Sequence, residues 1–185
     1  MRRCCRARSL LGIGPIDLVL LHAPVVGLRI EAYHELEALC SEGVCKSIGV
    51  SNYGVHHLEE LLQVCKIPPA VNQIELHPFF HRRELVAFCH ANGIIVQAYS
   101  PLGKGGLVQD STILRLAALV GKSPAQVLLA WALAQVPVIL PKSSRADRQR
   151  ENASLDFTLP DEVMRELDGL ARPNGGCTWD PTMWT

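Results

Sequence analysis

Five short apolar runs constrain this chain more than any other feature: each closes on polar residues, and each is followed by helix-like sequence or by a turn leading into it. Asp17–Leu21 closes at His22, and Ser47–Val50 closes at Ser51–Asn52. Ala70–Val71 continues through Asn72, Gln73 and Glu75, Ile94–Val96 leads to Tyr99–Ser100, and Val136–Leu140 closes at Lys142–Ser143. Strands that alternate with helices lie parallel to one another. Their carboxyl ends then point the same way, and the polar residues placed there converge on one face, where barrel and doubly wound α/β enzymes keep their chemistry. The fold class is therefore α/β, with about five parallel βα units building one site.

The stretches between the runs carry helix signals. Ile30, Tyr33, Leu36 and Leu39 recur at helical spacing within 29–41, and Gly43 stops that helix. Val55, Leu58, Leu61, Leu62 and Cys65 mark a second helix over 54–65, which Pro68–Pro69 close off. Further helices are expected over 82–91, 112–120, 124–134, 146–153 and 160–171, with Ser123 capping the fifth of these seven and Pro124 in its first turn. Strands are expected over 17–21, 45–50, 70–76, 94–99 and 136–140, the fourth apolar enough to be buried on both faces.

With 18 basic and 18 acidic residues the net charge is zero, so no general affinity for nucleic acid or an anionic membrane is expected. No apolar run reaches the ~18 residues of a membrane helix. The seven cysteines include no CxxC pair, which suits reduced thiols in a cytoplasmic protein better than a disulfide framework. Residues 1–16 carry Arg2, Arg3, Arg6 and Arg8 with no acidic residue, and read as a basic remnant of a helix ending at Gly12 or as a very short targeting segment.

The last unit gathers the most chemistry. Lys142 and Ser143 leave a strand, and Arg148, Glu151 and Asn152 follow at helical spacing. A lysine, a hydroxyl and an arginine around a helix start suit a phosphate; an amide and a carboxylate beside them suit an adenine edge. The same pattern equally describes an ordinary capped, charged surface helix. Ser51–Asn52 alone would read as a turn or cap, Tyr99 as core, and His22 as a structural histidine. The pairs His56–His57 and His77, His81 lack the supporting ligands of a metal site, so no metal is expected.

Taken together these stretches resemble the aldo-keto reductase family. The resemblance rests on Asp-Leu-Val-Leu-Leu-His-Ala-Pro at 17–24, Gly-Val-Ser-Asn at 49–52, Asn-Gln-Ile-Glu-Leu-His-Pro at 72–78, Tyr-Ser-Pro-Leu-Gly at 99–103, and Leu-Pro-Lys-Ser at 140–143 with Arg148 and Asn152. It implies a partial (β/α)8 TIM barrel over 17–185, with a C-terminal helix and tail. It also implies NADPH as cofactor and a small carbonyl compound as substrate, reduced to an alcohol. By the same resemblance His22 orients the carbonyl oxygen, Ser51, Asn52 and Gln73 hold the nicotinamide carboxamide, and Tyr99 carries the nicotinamide ring. Ser100 and Leu102 meet the pyrophosphate, Lys142, Ser143 and Arg148 hold the 2′-phosphate, and Glu151 and Asn152 meet the adenine. Glu75 and His77–Pro78 fit the pattern as structural residues.

Departures from the family pattern set further expectations. About three βα units that carry the family's catalytic tyrosine, lysine and aspartate find no counterpart before Asp17. Tyr33, Tyr53 and Tyr99 are not placed to replace that tyrosine, and a positioned acid contributes ~10²–10⁴-fold. Weak turnover and open sheet edges that invite self-association are therefore expected. The alternatives are a non-catalytic nucleotide-binding or interaction module derived from the family, and a metal-dependent hydrolase on the same scaffold. Ala23 stands where the family often has tryptophan or serine, which changes the expected pocket, and Trp179 or Trp184 in the tail is expected to shape it.

Overall fold

In a computed structural model, Leu10 and residues 12–185 are described. Arg2, Arg3, Arg6, Arg8, Cys4 and Cys5, on which the basic-remnant expectation rests, lie outside the described residues. The elements run β1 (Ile16–Leu21), α1 (Arg29–Ser41), β2 (Cys45–Ser51), α2 (Val55–Val64), β3 (Val71–Glu75), α3 (Arg83–Ala91), β4 (Ile95–Tyr99), α4 (Ser111–Val120), α5 (Pro124–Gln135), β5 (Val138–Leu140), α6 (Ala146–Ala153) and α7 (Asp161–Asp168). The strands form one parallel sheet in the order β1-β2-β3-β4-β5. Each neighbouring pair is joined by a helical connection, as parallel pairing requires. Among the described residues no single helix is long and apolar enough to cross a membrane.

The chain divides into two compact units, one of Met1–Gln73, Ala87–Ile95 and Asp180–Thr185, the other of Ile74–Val86 and Val96–Trp179. In the first, Leu20 pairs with Gly49 and Leu21 with Val50, while Ser51 pairs with Gln73. Its core is Tyr33, Leu39, Ile48, Leu58 and Leu61, all fully buried or nearly so. One charge sits at that core's margin: Glu37, on the inner face of α1, accepts the backbone N–H groups of Lys66 and Ile67 at 2.5 and 2.8 Å. Tyr33 donates its hydroxyl to the Ile67 carbonyl at 2.9 Å, so α1 fastens the turn that leads into β3. In the second unit Trp131, Leu128, Ile113, Leu116, Val163 and Leu167 form the core. The Trp131 indole N–H is satisfied by Asp168 at 2.9 Å, as a buried indole requires.

Three expectations are corrected. Strand β4 is not buried on both faces: Val96 and Ala98 are buried, but Ile95 is 48% exposed and Gln97 and Tyr99 are half-buried. Alternate side chains of a strand point to opposite faces, and an apolar run does not reveal whether both are covered. The last strand begins at Val138 rather than 136, because the Val136 N–H still closes α5 on the Ala132 carbonyl at 3.0 Å. The last helix stops at Asp168, where the Gly169 N–H turns back to Arg165 and Glu166.

Candidate functional site

In the second unit β4 and β5 pair with Tyr99 opposite Leu140, so the residues that follow each strand emerge side by side. After Tyr99 the chain turns sharply at Ser100, whose φ of +49° is left-handed, and the Ser100 carbonyl accepts the Gly103 N–H at 2.8 Å. Two short 3-10 turns follow, Gly103–Gly105 and Leu107–Gln109. Gly103 has φ +54°, and a Cβ there would collide with the Leu107 side chain, so the loop folds back on itself only with glycine. After β5, the Ser143 hydroxyl accepts the Arg145 N–H at 3.2 Å and Gln149 donates to the Ser143 carbonyl at 2.7 Å, fixing the entry to α6. Arg148, Glu151 and Asn152 then share one side of α6, spaced three and four apart.

These segments enclose a cleft of about 830 Å³, lined by Tyr99, Ser100, Leu102, Lys142, Ser143, Arg148, Glu151 and Asn152. All eight of the residues expected to meet a nucleotide from this half of the chain therefore line one cavity. Lys142 and Arg148 are exposed and Asn152 is buried. Lys104 also lines the cleft, so three cations face one carboxylate, Glu151. A net positive cleft with a hydroxyl beside it favours a phosphorylated ligand.

In the first unit the remaining four candidates form a hydrogen-bonded group at strand ends. The Ser51 hydroxyl donates to the Gln73 carbonyl at 2.8 Å. The Asn52 side-chain amide donates to the His22 carbonyl at 2.9 Å and to Ser51 Oγ at 3.1 Å. Asn52 has φ +62°, a left-handed value that asparagine tolerates, and its N–H reaches the Gln73 carbonyl. Ser51 and Asn52 are buried, Gln73 is half-buried and His22 is exposed. The Tyr33 and Tyr53 side chains are fully buried, and the Tyr53 hydroxyl has no hydrogen-bond partner among the described residues.

Glu75, at the end of β3, is a second centre of order in the cleft's own unit. Its Oε1 lies 2.9 Å from His77 Nε2 and accepts the Cys177 N–H at 2.5 Å. Its Oε2 accepts the Thr178 N–H at 3.1 Å and the Thr178 hydroxyl. Burial alone would raise this carboxyl, but donation from His77, Cys177 and Thr178 outweighs it and holds the pKa down at about 2. Glu75, His77 and Cys177 offer ligand atoms within 4.8 Å of one another. Both Glu75 oxygens are already doubly hydrogen-bonded, and burial with the Glu75 hydrogen bond pushes the Cys177 thiol up to about 11. A protonated thiol is a poor ligand, so the group has the character of an anchor for the tail. The histidine pairs weighed as ligands are engaged separately. His81 contacts the Leu167 carbonyl and Arg83, while His56 and His57 both contact the Trp184 carbonyl.

Sequence reasoning missed two residues. Lys104 sits in the glycine-rich loop, where a lone cation between glycines was the available signal. Thr178 is 103 residues from Glu75, and no local pattern marks it.

The sequence model described as the Aldo/keto reductase family matches residues 1–172. A 9,11-endoperoxide prostaglandin H2 reductase of Trypanosoma cruzi is 43% identical over 169 residues, covering 89% of this chain and 60% of that protein. A glyoxal reductase of Bacillus subtilis is 42% identical over 156 residues, covering 84% of this chain and 56% of that protein. The chain spans about three fifths of the length of the curated relatives it matches. Among solved structures, a variant of Gox0644 in complex with NADPH superposes with a TM-score of 0.91 at 34% identity, covering all of this chain and 69% of that one.

Proposed function

The chain belongs to the aldo/keto reductase family, and from that premise we propose that it binds NADPH and serves as an oxidoreductase that reduces aldehydes or ketones to alcohols. The observation that carries this reading is the cleft of about 830 Å³, where three cations, a serine hydroxyl, an amide and an aromatic ring line one cavity. That donor set fits a phosphorylated nucleotide: the cations suit phosphate oxygens, and Tyr99 offers an aromatic face for a planar ring. When bound, NADPH supplies the hydride that a carbonyl accepts.

In this reading Lys142, Ser143 and Arg148 hold the 2′-phosphate and so select NADPH over NADH. Glu151 and Asn152 meet the adenine, Ser100 and Leu102 meet the pyrophosphate, and Tyr99 stacks on the nicotinamide. Ser51, Asn52 and Gln73 orient the carboxamide, and His22 donates to the carbonyl oxygen as negative charge develops there. Residues 17–185 are proposed as the portion of the chain that corresponds to the family's barrel. Its sheet edges at β1 and β5, unpaired among the described residues, are proposed to support self-association. Its thiols suit the reducing cytoplasm.

The second reading is a non-catalytic nucleotide-binding module derived from the same family. It is favoured by the tyrosines: Tyr33 and Tyr53 are fully buried, and the Tyr99 hydroxyl lies against Thr178, so none is offered as the acid that protonates an alkoxide. Titration of the full chain with NADPH, followed by cofactor fluorescence, tests what both readings share. Lys142→Ala and Arg148→Ala should each weaken NADPH by about tenfold while leaving NADH nearly unchanged. Equal losses for the two cofactors would overturn the 2′-phosphate assignment. Aldehyde-dependent oxidation of NADPH that is lost in His22→Ala supports the reductase; binding without oxidation supports the module.

A further inference from the structure

We propose that Thr178, braced by Glu75, is a positioning residue for Tyr99, fixing the outer end of the ring on which the proposed cofactor stacks. The inference rests on the NADPH reading and adds to it a residue far along the chain that governs how the ring is presented.

The Tyr99 hydroxyl lies 3.1 Å from Thr178 Oγ1, and Thr178 Oγ1 is hydrogen-bonded to Glu75 Oε2. The direction of these bonds follows from the inventory of protons. An ionised carboxylate only accepts, so the single proton of the threonine hydroxyl is drawn toward Glu75. The Tyr99 phenol is then the donor to Thr178. Glu75 is itself held on several sides: its side chain is 3% exposed and sits at a strand end, with His77 Nε2 at 2.9 Å and two backbone N–H groups of the tail upon it. The backbone just before Cys177 is laid down closely on the preceding loop, since a Cβ on Gly175 would collide with the Phe79 carbonyl. The result is a relay from a strand-end carboxylate, through one threonine, to the rim of an aromatic side chain that lines the cleft. A ring anchored at both ends loses little freedom when a planar group stacks on it, so the relay raises affinity by preorganisation.

A double-mutant cycle on the full chain tests this, with NADPH as the probe. Thr178→Val and Tyr99→Phe each remove one partner of the same bond. Each should raise the NADPH dissociation constant by about fivefold, and the double variant should be no worse than either alone. Thr178→Ser keeps the hydroxyl and should bind within about twofold of the parent, which separates positioning from general loss of packing. A Thr178→Val variant that binds like the parent, or effects that multiply in the double variant, would overturn the proposal. If the parent itself does not bind NADPH, the functional reading fails, and the tether is decided without cofactor. In that case the aromatic NMR signals of Tyr99, identified by their loss in Tyr99→Phe, should shift and broaden in Thr178→Val while those of Tyr33 and Tyr53 stay in place. Unchanged Tyr99 signals would overturn the relay.

Discussion

His57 illustrates how burial sets the behaviour of single residues in this protein. It is fully buried at the start of α2, where its Nδ1 accepts the Gly54 N–H at 3.0 Å and its Nε2 meets the Trp184 carbonyl at 2.6 Å. That pattern needs a neutral ring with the proton on Nε2. Burial pushes its pKa down from 6.5 to about 4, only partly offset by the Trp184 carbonyl. The unfolded chain therefore takes up this proton first. The stability that His57 confers is complete above pH 6.5 and falls away as pH drops toward 4. Unfolding free energies measured by chemical denaturation across this window should decline, and His57→Gln should flatten the slope; an unchanged slope in the variant refutes the assignment. Much at this scale was legible in the sequence. Ser51, Asn52, Lys142 and Ser143 follow apolar runs, and strand periodicity alone places them at strand ends. Thr178 was not legible, because its meaning depends on a partner that only folding brings near.

At the scale of elements, capping explains why several helix boundaries could be read in advance. Ser123 and Gln126 form a reciprocal capping box at the start of α5, with bonds of 3.1 and 3.2 Å. Asp110 accepts the N–H groups of Thr112 and Ile113 to begin α4. Ser123→Ala should cost about 1 kcal/mol in equilibrium unfolding, and no loss would mean that the box contributes nothing. The loop after β4 is a different case. Gly103 has a positive φ and no room for a Cβ, so Gly103→Ala should reshape the cleft rim. Its expected signature is a loss of about 1–3 kcal/mol in stability together with weaker NADPH binding, measured on the same preparation. The β4 faces and the start of β5 were misread because composition reports apolarity, not what lies opposite it. Ile95 is as apolar as Val96, yet one is exposed and the other buried.

For the molecule as a whole, the informative quantity is apolar surface left uncovered. In the first unit Leu18, Val19, Leu20 and Leu21 of β1 are only half-buried. Val25, Val26 and Leu28 just beyond it are 47, 56 and 56% exposed. Strand β1 pairs on one side only among the described residues, with β2. Apolar side chains beside an unpaired strand edge favour association between chains. Light scattering on the eluted protein should show mass rising with concentration, and Val26→Lys should lower it. A constant monomer mass over a wide concentration range would exclude association through this edge. The parallel order of the sheet was legible because alternation of strand and helix admits few topologies. The division of the chain into two compact units was not, because no linker or shift of composition marks it.

Glu75 and the tail donors that satisfy it lie 102 and 103 residues apart along the chain. During synthesis the strand is made long before Cys177 and Thr178 emerge, and closing so long a loop is slow. Until then the carboxylate must keep part of its hydration, so the end of β3 cannot finish burying itself before residues 177–178 have emerged. The order of folding is thereby written into one side chain: the strand becomes dry only when a segment 102 and 103 residues further along the chain reaches it.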